Sequence, residues 1–193
     1  MKEGLIKDAY ELIIKELQTV ISIAYILTVG IGMLFNYKFY AEFDINIFDY
    51  SDVFDFLLAP FADYRILLFS VLSLLISLLL LKFDSEWKKL SPRSYSRANF
   101  GWDKKSWFKT FRYGSFAFCF IIYLFASADI YGRHTKKHVL AEPPVEVTFA
   151  DNQTKSGIMI GKTLDVIFLK IDSKIEAIPV TAQVKNISIH TED

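Results

Sequence analysis

The segment at residues 66–81, ILLFSVLSLLISLLLL, contains no charged residue, no proline and no glycine, and it stands between Arg65 and Lys82. A water-soluble core rarely hides so long an uncharged run, whereas a helix crossing a bilayer requires one. The stretch predicts an integral membrane protein. Hydrophobic residues make up 52% of the 193, yet charged residues still reach 23%, so the two kinds must be segregated into blocks. The formal net charge is zero, and no overall field argues for nucleic acid as a partner.

Two further spans flank this one. Residues 17–37 are uncharged throughout, and at 1.5 Å per residue such a length covers about 30 Å, the hydrocarbon thickness. In residues 1–16, Leu5, Ile6, Tyr10, Ile13 and Ile14 recur at helical spacing among charges. That pattern predicts an amphipathic lead-in helix rather than a signal peptide. The second span covers residues 64–83. The third, residues 111–131, is crowded with Phe and Tyr, with Asp103 as the candidate N-cap and Asp129 as an interfacial anchor. Ala24, Thr28 and Gly32 form a small-residue stripe on the first span, and Ser70, Ser73 and Ser77 share a face of the second. Both predict helix packing, with a serine-lined pore as the alternative. Cys119, the single cysteine, excludes an intrachain disulfide and reads as a small buried hydrophobe.

The loop at 38–63 is acidic, with Glu42, Asp44, Asp49, Asp52, Asp55 and Asp63. A span across it would bury several aspartates at ~2.5–3.5 kcal/mol each. A surface helix is predicted instead, capped by Ser51 and ended by Pro60. Its apolar residues Val53, Phe54, Leu57 and Leu58 are expected to pack on the C-terminal domain. The loop at 84–110 is basic and holds all three tryptophans, Trp87, Trp102 and Trp107. With Lys88 and Lys89 these are predicted interface anchors, and the same mixture attracts anionic lipid headgroups. The nine Lys and Arg at 82–112 place this side, with Lys2, Lys7 and Lys15, in the cytoplasm. Three spans then put the C-terminal domain outside, although Arg133, Lys136 and Lys137 after the third span pull the other way.

Residues 132–144 read as a linker, basic at first and punctuated by Pro143-Pro144. From residue 145 onward the pattern is that of a small all-β barrel. Strands are predicted at 145–149, 157–161, 164–171, 175–178 and 184–189. Gly157, the apolar strand from Val166 to Leu169, Asp172-x-Lys174, and Ile178-Pro179 followed by Val184 and Ile187 resemble the Sm-like or SH3-like small barrels. They are most similar to the β domain of the small-conductance mechanosensitive channel family. The resemblance implies ring-like assembly, a bacterial inner membrane and a cytoplasmic β domain, against the side that the charges give. The Gly- and Ala-rich pore helix of that family has no counterpart in the Phe-rich third span.

Catalytic signatures are missing. Gly157-x-x-x-Gly161-Lys162-Thr163 is one residue short of a phosphate loop and is followed by β-rich sequence. His134-x-x-x-His138 has metal spacing but sits among lysines, and no nucleophile has an evident His partner. No metal or cofactor is expected. The expected protein is an α-helical integral membrane protein of the plasma membrane, with three transmembrane helices and a small C-terminal β domain. Its expected work is non-enzymatic: an oligomeric scaffold, sensor or accessory subunit whose partners are lipid, further copies of itself or another membrane protein. A small mechanosensitive-type channel is the alternative.

Overall fold

The computed structural model describes residues 2–188, with side chains from residue 16 onward except that of Ala182. Helix α1 runs unbroken through Lys2–Ala41, so the lead-in helix and the first candidate span are one rod. The amphipathic face expected from Leu5 to Ile14 lies outside the described side chains. Helix α2 (Val53–Ala62) crosses the acidic loop. Helix α3 (Tyr64–Leu90) returns, α4 (Pro92–Ala98) turns the corner, and α5 (Phe108–Val139) runs back beside α1 and α3. Among the described residues, three helices, Glu16–Ala41 within α1, α3 and α5, are long and apolar enough to cross a membrane.

Helix α5 corrects the expected linker, because residues 132–138 are helical and extend the third rod to Val139. Charge pairing explains why a basic run continues a helix here. Asp129 bonds Lys38 of α1 at 3.2 Å and also pairs with Arg133 one turn on, while Lys136 reaches Glu42. Gly132 brings the rods together, since a Cβ there would lie 2.8 Å from the Lys38 carbonyl oxygen.

Three expected helix ends also move. Asp52, not Ser51, caps α2, in a reciprocal box with Asp55. Pro60 lies inside α2 rather than ending it. Its ring has no N–H for the carbonyl of Phe56, and that carbonyl is the atom that Gly32 of α1 packs against, where any Cβ would overlap. Asp103 does not cap α5. It sits in the 3-10 turn Trp102–Lys104 and accepts a hydrogen bond from Ser96 at 2.8 Å, while Trp107 holds the cap position without a side-chain bond.

The C-terminal residues form a five-stranded antiparallel sheet: β1 (Val145–Phe149), β2 (Thr154–Lys162), β3 (Val166–Ile171), β4 (Lys174–Pro179) and β5 (Val184–Ser188). A short helix, α6 (Val180–Gln183), precedes β5. The order is β4-β3-β2-β1-β5. Strand β2 pairs with β1 through its first half and with β3 through its second, with a register shift between Met159 and Gly161. It is the hinge about which the sheet curls. Gly157 stands at the changeover, where a Cβ would come within 2.6 Å of the Lys170 carbonyl oxygen.

Two cores result. Val145, Val147, Leu169 and Ile178 fill the inside of the curled sheet. Ile160 and Phe168 face outward and join Phe35, Tyr40, Phe43, Phe56 and Tyr131 in a core shared with the helices. The run from Val166 to Leu169 is apolar without alternation because β3 is covered on both faces.

Candidate interaction sites

From Ile66 to Leu81 helix α3 is apolar over its exposed surface, and its serines lie on the buried face. Ile66, Ser70, Ser73, Ser77 and Asp84 are buried, whereas Leu67, Leu68, Leu72, Leu75 and Leu79 are exposed. The serine hydroxyls of this face bond back to carbonyls one turn earlier, at 2.7–2.9 Å. Ser73, 1% exposed, also meets Ser127 of α5 at 3.2 Å between hydroxyls. The serine face is thus buried by packing inside the chain. On α1 the small-residue stripe divides. Ala24 is exposed and Thr28 bonds only the Ala24 carbonyl of its own helix, whereas Gly32 is buried under α2.

The β domain is joined to the helices at the acidic end. Phe168 is 1% exposed and meets the rings of Tyr40 and Tyr50, each with centroids 5.2 Å away. Gly161 makes room for Tyr40, whose hydroxyl would overlap any Cβ there. From α2, Asp55 accepts the backbone N–H of Leu164 at 3.0 Å. The loop does reach the barrel, and one of the residues expected to pack there, Leu57, joins the shared core. Val53, Phe54 and Leu58 are exposed, and Leu57 is half-buried against the shared core. The inward face of α2 is Phe56 and Pro60. A cleft of about 450 Å³ remains between Asn36, Asp55 and Tyr131 on the helices and Lys162, Thr163 and Ile167 on the sheet. Tyr131 donates across one wall to Asp63 at 3.0 Å.

The opposite end is held by Asp84, which sequence reasoning passed over. Arg112 of α5 bonds Asp84 through two nitrogens, one at 3.0 Å, and Tyr95 of α4 donates to its other oxygen at 3.1 Å. Burial, and then the Asp84 hydrogen bond, push the Tyr95 phenol above its ordinary pKa, so it stays a donor. A signal existed: Asp84 lies seven residues beyond Ser77, on the same helical face. Trp87 packs edge-on against Tyr95 at 5.6 Å, and Trp102 packs on Trp107 at 5.7 Å. Lys89 pairs with Glu86, and Lys88 lies over the Tyr95 ring at 5.8 Å.

Among the described residues, β4 and β5 each pair with one neighbour and not with each other. Ile178 is buried in the barrel core, and the exposed Pro179 closes β4 before α6. His134 and His138 stand 3.1 Å apart between ring nitrogens, and no group of three metal-ligating side chains occurs among the described residues.

No family model matches this sequence, and no curated protein matches it. Among solved structures, the pleiotropic translational regulator Hfq aligns with 17% identity and a TM-score of 0.24, over 31% of this chain and 98% of that one. At that score the alignment fixes neither fold nor function. The strand order and pairing above are what define the domain.

Proposed function

We propose that this chain is a non-enzymatic, three-span membrane protein that assembles with further copies of itself through its Sm-like β domain. The observation that carries this reading is that, among the described residues, β4 and β5 each leave one strand edge unpaired, on a domain one face of which is committed to its own helices. Unpaired edges recruit strands, and joining β4 of one copy to β5 of the next is a head-to-tail contact, the kind that makes a ring when its rotation closes. Membrane insertion is supported by the inverted pattern of α3, with serines inside and leucines outside, the arrangement suited to lipid rather than water. The basic end at 82–112 faces the cytoplasm in this reading, and the β domain lies outside with the acidic loop.

Paired cysteines test it. In a Cys119→Ser background, Ala177→Cys on β4 and Asn186→Cys on β5 are introduced together and treated in membranes with a short bifunctional thiol reagent. A ladder of multimers from the double variant, and none from either single variant, is expected. A monomer band alone would remove edge pairing from the account.

A further inference from the structure

The cleft at the basic end has a chemistry that packing does not explain. It measures about 240 Å³ and lies where the end of α3, the 3-10 turn and the start of α5 converge. Lys88, Lys105, Lys109 and Arg112 line it. Two acids are present, and both are already engaged: Asp84 by Arg112 and Tyr95, and Asp103 by Ser96. No carboxylate among the described residues pairs with Lys88, Lys105 or Lys109, whose side chains are exposed. The first turn of α5 also ends here, and its cap residue Trp107 offers the helix N–H groups no side-chain acceptor. Unpaired ammonium groups beside a helix N-terminus without a side-chain cap make a positive field that an anion would relieve.

We infer that this cleft is a binding site for a phosphate group, and that an anionic phospholipid headgroup is its source. The remaining wall supports the lipid. Leu81, Phe108 and Tyr113 continue from the cations along α3 and α5, toward the leucine-rich surface that the membrane reading gives to acyl chains. Basic pockets between helix ends on the cytoplasmic side select such headgroups. Trp102 and Trp107, both about half exposed, flank the cleft at the depth where indole rings settle among headgroups. The inference rests on the membrane-spanning reading and adds a specific lipid site to it.

All three tryptophans lie at this end, which makes them built-in reporters. The full-length protein in a zwitterionic detergent is titrated with brominated phosphatidylglycerol or brominated phosphatidylcholine, and indole quenching is followed. Saturable quenching by the anionic lipid in excess of the zwitterionic one is expected. The triple variant Lys88→Gln, Lys105→Gln, Lys109→Gln should weaken it by about tenfold or more. Lys137→Gln, exposed at the opposite end, should leave it unchanged. Equal quenching by the two lipids, or a triple variant of unchanged affinity and unchanged circular dichroism, would overturn the site. Displacement of the bound lipid by glycerol phosphate at similar concentration would keep the phosphate site and overturn the lipid as its source. Resistance to carbonate extraction scores membrane insertion separately, so loss of the one result does not mimic loss of the other.

Discussion

Replacing Phe168 by Ala should release the β domain from the helices. Phe168 is 1% exposed and is the side chain through which β3 meets both Tyr40 of α1 and Tyr50 of the acidic loop. Truncating a buried Phe costs about 3–5 kcal/mol, and each of its two ring pairings supplies roughly 0.5–1.5 kcal/mol of that. A β unit this small holds rarely more than about 3–5 kcal/mol of its own stability, so the loss rivals the whole. Trypsin reads the result directly, because Lys162, Lys170, Lys174 and Lys185 lie within the β strands. Where opening is fast relative to cutting, the cutting rate follows the open population, and about 3 kcal/mol is a rise on the order of 100-fold. Phe54→Ser is the control, because Phe54 is 59% exposed and touches neither partner ring. Wild-type digestion of the Phe168→Ala protein, or equal acceleration by Phe54→Ser, would refute the shared core.

The other expectations concern single contacts. Gly161→Val forces a branched side chain against the Tyr40 hydroxyl and should also expose the β domain to trypsin, with no loss of helix by circular dichroism. Ser73→Leu overfills the α3–α5 contact and should cost about 1–3 kcal/mol in a thermal melt, whereas Ala24→Leu on the exposed half of α1 should cost almost nothing. Asp84→Ala strands Arg112 and Tyr95 and should lower stability by up to about 3 kcal/mol, less than for a fully enclosed pair because Arg112 remains partly solvated. The raised pKa of Tyr95 gives a pH signature. Its contribution is full below the ordinary tyrosine value of about 10 and is lost as pH rises through the folded value. Tyr95→Phe should flatten that alkaline slope.

The sequence makes the large divisions visible for a physical reason. Three long apolar runs stand out because they have the length and composition that a bilayer would require, and the alternation of Val145 and Val147 with Glu146 and Thr148 marks a half-buried strand. Helix ends are less visible, because no such rule of length and composition marks them. Residues 132–138 look like a linker by composition, yet Asp129, Glu42 and Gly132 hold them helical through partners distant in sequence. The packing face of α2 is hidden in another way. Its apolar stripe shows amphipathicity, but near a membrane an apolar face can as well point out, and Phe56 with Pro60 points in. The joint with the β domain left one readable trace, the unbroken apolar run in β3. Asp84 left another, its register with the serines.

Light scattering on the full-length protein in mild detergent, with the detergent contribution subtracted, tests self-assembly most directly. The chain mass is 22.3 kDa. The account predicts an integer multiple of that mass, falling to one chain when Ala177→Pro, at a residue whose N–H points away from β3, blocks the β4 edge while trypsin resistance of the β domain persists. A single-chain mass for the unaltered protein, or an oligomer that Ala177→Pro leaves intact, would contradict it.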